Sequence, residues 1–230
     1  DGCFGGWGDG RAGGEGNAIL ATSKANVQIF GNILGLDATG SVALGNDRGV
    51  FANSEGNTIG LTTPASRNVI SGNQLEGIRL ESGSNSVAGN LIGTNAAGTG
   101  AVPNGTGVFA QTLSNSIGSL ASAGRNVISG NRVAGISVLD ADSTKILGNF
   151  IGADISGTKN LGNGQSGIVI NTSVNTTIGG TAAGAGNVIA FNGALPGSPV
   201  TGGVVVLSGT GHAILGNSVF LNTGLGIDLA

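Results

Sequence analysis

The apolar residues of this chain come in bursts of two to four, broken by Gly, Asn and Ser, and they show no helix-period stripe. One burst recurs as Asn, two apolar residues, two variable residues, and Asn or Asp. It begins at Asn32 (NILGLD), Asn68 (NVISGN), Asn90 (NLIGTN), Asn126 (NVISGN), Asn149 (NFIGAD), Asn187 (NVIAFN) and Asn217 (NSVFLN). Self-similarity at a spacing of this size is typical of a solenoid, in which each repeat stacks on its neighbours.

Two further apolar anchors follow each of these starts. The first is a Gly before a β-branched residue, at Gly49–Val50, Gly77–Ile78, Gly107–Val108, Gly135–Ile136, Gly167–Ile168, Gly203–Val204 and Gly226–Ile227. The second comes nine or ten residues later, at Ile59, Val87, Ile117, Ile146, Ile178 and Ile214. Three short strands in each repeat predict an all-β right-handed parallel β-helix of about seven three-stranded coils.

The repeat length alternates between short and long coils. Asn68 to Asn90 is 22 residues, whereas Asn32 to Asn68 is 36, and the additional residues fall only after the first and the third strand of a coil. Strands that keep their phase while turns vary are what stacking requires. We expect residues 17–230 to form a single β-helix domain, preceded by a Gly-rich segment at residues 1–16 that makes an end contact or adds a strand.

Asparagines at fixed turn positions predict two side-chain ladders, because Asn tolerates left-handed dihedrals and its amide can bond the next Asn in a stack. The first ladder would contain Asn32, Asn68, Asn90, Asn126, Asn149, Asn187 and Asn217, and the second Asp37, Asn73, Asn95, Asn131, Asp154, Asn192 and Asn222. The Gly before the second strand would supply a positive φ or allow a sharp turn.

Composition narrows the function classes. The net charge is −3, the basic residues are scattered and aromatic residues are few, so we expect no nucleic-acid partner. No apolar run approaches the roughly 18 residues that would span a membrane, so we expect no membrane insertion. The single cysteine, Cys3, has no partner for an internal disulfide, and a start without Met or a signal peptide suggests a mature or excised product.

Several motifs carry a family resemblance. NVISGN, NTIG at Asn57, the loops GLDATGS, GTNAAGTG and GADISGT, and the closing GLGIDLA resemble the parallel β-helix repeats of large secreted or surface proteins of bacteria, which share the pectate-lyase-like superhelix. The resemblance covers about residues 17–230. It implies an extracellular or cell-surface setting in a bacterium, often within a longer chain, with adhesion or a structural role.

Other β-helices are enzymes that act on polysaccharides, so we asked whether the carboxylates of this chain could form a catalytic site. The best candidates are Glu81, Asp140 and Asp142, with Arg79 and Lys145 nearby. Two coil steps separate Glu81 from the aspartates by roughly 10 Å, which is marginal for an inverting glycosidase. We therefore predict no catalytic site, cofactor or metal site. A weak Ca²⁺ site at the Asp pair, a lyase or glycosidase fragment, and a glycan-binding module are the alternatives.

The coils at the two ends of the rod would be incomplete. The chain stops at GIDLA, within a second strand, and NAIL at Asn17–Leu20 reads as a second strand without a first. We expect either head-to-tail association of copies or continuation within a longer chain. The residues expected to make end contacts are Cys3, Phe4, Trp7, Ile227 and Leu229.

Overall fold

The computed structural model describes residues 16–22, 25–195, 197–198 and 200–229, and it is the predicted parallel β-helix. Sheet A has eight strands: Asn17–Ala21, Arg48–Ala52, Glu76–Leu80, Thr106–Ala110, Ile136–Leu139, Ser166–Asn171, Gly202–Val206 and Leu225–Leu229. Sheet B has seven: Gln28–Ile29, Thr58–Ile59, Ser86–Val87, Ser116–Gly118, Lys145–Leu147, Thr177–Gly179 and Ala213–Leu215. Sheet C has seven: Ile33–Leu34, Val69–Ile70, Leu91–Ile92, Val127–Ile128, Phe150–Ile151, Val188–Ala190 and Ser218–Phe220.

Each strand pairs in parallel with the strand one coil away rather than with its neighbour in sequence. Strands Ser173–Val174 and Gly209–Thr210 form a further parallel pair, and two short 3-10 helices, Pro64–Ser66 and Ser122–Gly124, lie in turns after sheet B. Among the described residues, no helix has the length and apolar character needed to cross a membrane.

The core consists of apolar rows that run along the rod, two from sheet A and one each from sheets B and C. In one row from each sheet, sixteen side chains are fully buried: Val50, Ile78, Val108, Ile136, Ile168 and Val204 from sheet A, Ile59, Val87, Ile117, Ile146 and Ile178 from sheet B, and Ile70, Ile92, Ile128, Ile151 and Ile189 from sheet C. All sixteen are β-branched, the residue class that packs best on the pleated surface of a strand. The spacing of these residues in the sequence therefore marks the inward positions of the coils.

The first ladder, at the turn between sheets B and C, is confirmed. The Nδ2 of each asparagine from Asn32 to Asn187 donates to the Oδ1 of the asparagine one coil further along, over 2.8–3.1 Å. The Nδ2 of Asn90 also donates to the backbone O of Ile59 in the core wall, over 2.8 Å. Asn68, Asn90 and Asn126 are fully buried, so these bonds satisfy polar groups that water cannot reach.

The second ladder, at the turn between sheets C and A, differs from the prediction in three of its seven members. It runs through Asn46, Asn73, Asn104, Asn131, Asn163, Asn192 and Asn222, with Nδ2–Oδ1 distances of 2.8–3.4 Å. The prediction had Asp37, Asn95 and Asp154 in place of Asn46, Asn104 and Asn163. In the long coils the chain leaves sheet C into a loop before it reaches the turn, so the residue that stacks on Asn73 comes after the loop.

A third asparagine row, which the sequence analysis missed, lies at the turn between sheets A and B. The Nδ2 of Asn57 donates to Asn85 Oδ1 over 2.9 Å, and the backbone N–H of Asn85 donates to Asn115 Oδ1 over 3.0 Å. In the later coils Thr144, Thr176 and His212 take this position. The row thus changes residue type half-way along the rod, which is why no repeat of Asn revealed it.

The glycines that precede the β-branched core residues of sheet A lie within the strands, except Gly135, and they are required by lack of space and not by a positive φ, which none of them has. A Cβ on Gly107 would lie 2.5 Å from the backbone O of Gly135 and 2.6 Å from Ile128 Cγ2. The same position in the last coil, Gly226, would place a Cβ no closer than 3.4 Å to its nearest neighbour, Val219 Cγ1. The positive-φ alternative for these glycines was therefore wrong.

The long loops fold back over the outer face of sheet C. Leu36, Val69, Leu91 and Val127 form a small second core there, separate from the core inside the coils. Successive loops also bond each other, because Ala96 N–H donates to Gly40 O and Ile155 N–H donates to Gly98 O, both over 2.9 Å or less. Three loops two coils apart thus form one continuous ridge along the rod.

Replacing a buried ladder residue should be far more costly than replacing a loop asparagine. In Asn90→Ala the Nδ2 of Asn68 and the backbone O of Ile59 each lose one of their two hydrogen bonds in the protein interior, and we expect the free energy of unfolding to fall by about 3 kcal/mol. Asn95→Ala, the matched control, removes bonds only from the loop N–H groups of Thr99 and Gly100, with an expected loss of about 1 kcal/mol. Urea unfolding measures both, and equal losses would contradict the ladder's role.

A methyl group in the glycine row should be tolerated only at the end of the rod. We expect Gly107→Ala to lower the free energy of unfolding by about 1–3 kcal/mol, since backbone and ladder atoms must move to admit the Cβ. Gly226→Ala should stay within about 0.5 kcal/mol of the parent chain. Thermal unfolding of the two variants side by side is the test, and a neutral Gly107→Ala would contradict the close approach.

Candidate functional site

The last coil exposes side chains at core-type positions. Ile227 and Leu229 lie next to Val204 and Val206 of the buried row, yet they are 43% and 69% exposed, and Leu225, which pairs with Gly202, is 63% exposed. Val204, the neighbour of Ile227 one coil below, is fully buried. In the part of the chain that the structure describes, strand Leu225–Leu229 pairs only with Gly202–Val206, so one of its edges carries free backbone N–H and C=O groups.

The ladders add polarity to this end face. In both ladders the bonds from Nδ2 to Oδ1 run toward the last coil. The Nδ2 of Asn217 donates to Ile178 O, and that of Asn222 donates to Ile189 O and Phe220 O, but neither has a further asparagine to donate to among the described residues. The end face therefore combines exposed apolar side chains, a free strand edge and the last asparagines of two ladders.

Of the residues expected at the ends, Ile227 and Leu229 lie in this face, whereas Cys3, Phe4 and Trp7 fall outside the described residues. The prediction omitted Leu225. Its equivalents in the earlier coils are Gly202, Ser166, Thr106 and Glu76, so the repeat gave no signal for an apolar residue there.

The outer face of sheet A carries a chain of ion pairs. Glu76 accepts from Arg48 Nε over 2.7 Å and from Arg79 Nη1 over 3.0 Å, and Arg79 Nε donates to Glu81 over 2.6 Å. Burial alone would lower the pKa of Arg79, but its hydrogen bonds and attraction to Glu81 and Glu76 raise that pKa above the ordinary value. The guanidinium of Arg79 also stacks 4.6 Å from the ring centre of Phe109. These charges largely neutralise each other.

The three candidate carboxylates are not brought together. Glu81 follows the third strand of sheet A, while Asp140 and Asp142 follow the fifth, about 10 Å further along the rod. Glu81 is paired with Arg79, and Asp142 Oδ1 accepts the backbone N–H of Val174 over 2.8 Å. No three His, Cys, Asp or Glu side chains of the described residues are grouped as a metal site would need.

Asp37 and Asp154, which the sequence analysis assigned to the second ladder, organise the long loops instead. Asp37 Oδ1 accepts the backbone N–H groups of Ser41 and Val42, and these bonds with that of Thr39 lower the pKa of the Asp37 carboxyl. Burial alone would raise the pKa of Asp154, but its bonds from Ser156 and from loop backbone N–H groups outweigh that effect and lower it. Asn95 holds the middle loop in the same way, without a charge.

No protein-family model, curated protein or solved structure matches this chain. The fold and the surfaces described above therefore carry the functional argument.

The loops held by a carboxylate should open in acid while the middle loop stays closed. Because the pKa of each carboxyl is lowered in the folded state, the ionised carboxylate stabilises its loop fully at a pH above the ordinary pKa of 3.8. That stabilisation is lost as the pH falls through the folded pKa. We expect hydrogen exchange at the amides of Val42 and Lys159 to accelerate in that range, relative to the amide of Gly100. Equal behaviour of the three amides, after correction for intrinsic exchange, would contradict the assignment.

Proposed function

We propose that the protein is a non-catalytic structural β-helix, a fibre subunit or adhesin-type stalk that associates end to end outside a bacterial cell. The observation that carries this proposal is the end face, where Ile227 and Leu229 are exposed at positions that are buried in the coils below and Leu225 is exposed beside them. Burying one such side chain contributes about 1.5–3 kcal/mol, so covering this face is strongly favourable. The extracellular setting is supported by the resemblance of the repeats.

A second copy of the chain fits this face. Strand Asn17–Ala21 pairs only with Arg48–Ala52 among the described residues, so sheet A also has a free edge at its other end. Leu225–Leu229 of one copy and Asn17–Ala21 of the next have the same length and the same place in the coil. Parallel pairing of the two edges continues sheet A from copy to copy, and a contact of this heterologous kind produces filaments because it does not close.

The unequal numbers of strands in the three sheets determine where this junction lies. Sheet A has eight strands, whereas sheets B and C have seven, so direct continuation of sheet A leaves one strand position open in each of the other two. Asn217 and Asn222 end the two ladders at this junction, and neither Nδ2 has an asparagine partner among the described residues of its own chain. The described residues therefore make the junction through sheet A. A further coil of a longer chain would cover the same face by the same interactions.

Charge placed on the end face should abolish association without unfolding the rod. We expect the parent chain to form elongated oligomers as its concentration rises, and a double variant, Leu225→Lys with Leu229→Lys, to remain monomeric. Leu113→Lys is the matched control, because Leu113 is 57% exposed but lies in a turn half-way along the rod. Sedimentation velocity and electron microscopy give the readout, with circular dichroism to confirm the fold.

Two outcomes would overturn the proposal. The parent chain could remain a monodisperse monomer at every concentration, or Leu113→Lys could suppress association as strongly as the end-face variant. The second result would place the contact on the side of the rod. Gly226→Val gives an independent check, since Gly226 has open space on the side that a next copy would occupy.

A further inference from the structure

A groove runs along the outer face of sheet C, between the loop ridge and the turns that follow sheet B. It encloses about 280 Å³ and is lined by Arg67, Ser122, Arg125, Val127, Phe150, Ile155 and Ser156. Neither the ends of the rod nor the candidate carboxylates contribute to it. The sequence analysis did not single out these residues, although both arginines open the duplicated string RNVISGN.

The two arginines are held in the same way. Arg125 Nε donates to the backbone O of Gly148 over 2.8 Å, and its guanidinium carbon lies 4.2 Å from the ring centre of Phe150. Arg67 Nε donates to the backbone O of Gly89 over 3.1 Å. The backbone bond at Nε fixes each side chain and leaves its two terminal nitrogens available, the geometry that favours two-point contact with a carboxylate or sulfate.

No ion pair among the described residues neutralises these two guanidinium groups. Arg48 and Arg79 are paired with Glu76 and Glu81, but within the described ranges neither Arg67 nor Arg125 has a carboxylate partner. The carboxylate nearest in the lining loop, that of Asp154, accepts loop hydrogen bonds from Ser156 and from backbone N–H groups, and it is 2% exposed. An acidic chain thus carries two unneutralised arginines on one groove.

The spacing of the arginines follows from the coil. Val69 pairs with Leu91, which pairs with Val127, so the strands that follow Arg67 and Arg125 are two positions apart in sheet C. Two inter-strand spacings amount to about 10 Å along the rod axis. A single small anion cannot contact both guanidinium groups at that distance, whereas a polymer with repeated anionic groups can, and its second contact is strengthened by the first.

We propose that this groove binds an anionic polysaccharide, with successive carboxylate or sulfate groups on Arg67 and Arg125. Ile155, 36% exposed at the rim, offers apolar surface to a sugar ring, and the hydroxyl of Ser122 offers a hydrogen bond. The Phe150 ring is stacked against Arg125 and also has Gly157 close beside it, so it is not a free platform for stacking bases, which disfavours a nucleic acid. The inference does not depend on end-to-end association.

Titration calorimetry with three probes tests the proposal: hyaluronate for carboxylates, dextran sulfate for sulfates, and uncharged dextran. We expect binding to one or both anionic polymers, weakened by salt, and none to dextran. Arg67→Gln and Arg125→Gln should each reduce the affinity about tenfold. Arg132→Gln is the matched control, because it removes the same charge from an exposed arginine outside the groove.

The outcomes are distinguishable. Binding of hyaluronate alone assigns the groove to carboxylates, and binding of dextran sulfate alone assigns it to sulfates. If Arg132→Gln weakened binding as much as the groove variants, the attraction would be non-specific and the proposal overturned. The proposal would also fail if the parent chain bound dextran as tightly as the anionic polymers. It would fail likewise if the variant lacking both arginines bound the anionic polymers as tightly as the parent chain. Inorganic phosphate that competes as well as the polymer at equal anion concentration would overturn the two-point contact. Thermal unfolding checks that Arg125→Gln, which loses the Phe150 contact, remains folded.

Discussion

Stacking at the inter-strand spacing constrains every position in this protein. A residue in a coil lies about 4.8 Å from its equivalent in the next coil, so each side chain must tolerate a copy of itself as its nearest neighbour. Apolar β-branched side chains do so in the core, and carboxamides do so at the turns because an amide is both donor and acceptor. A carboxylate fails that test, which explains why Asp37 and Asp154 lie in loops and not in a ladder.

The same constraint explains which features the sequence could predict. The core rows and the first ladder lie next to each other in sequence, within the strings NVISGN and NLIGTN, so their spacing was visible. The second ladder was mispredicted where a loop intervenes between sheet C and the turn. Counting back three or four residues from Gly49, Gly107 and Gly167 would have found its true members, Asn46, Asn104 and Asn163.

Other features depend on contacts that no local pattern encodes. The need for Gly107 comes from the backbone O of Gly135, one coil away, and an observer of the sequence could not separate that cause from a positive φ. The groove depends on which loop lies beside which turn. Arg125 and Phe150 belong to different coils, and they meet because the register places Phe150 beside Val127, two residues after Arg125. The exposed end face of the rod likewise could be identified only once the strand pairing was known.

The alternation of long and short coils connects the ridge to the groove. A long loop fills more height than one inter-strand spacing, because the loops of coils two apart already bond each other through Ala96 and Gly40 and through Ile155 and Gly98. If every coil carried a long loop, the loops of adjacent coils would therefore collide. The coils that alternate with the long coils are short, and the first strands of these short coils follow Arg67 and Arg125. The height of a loop thus sets the distance between the two arginines, so the spacing of charge along the groove follows from how the backbone is packed.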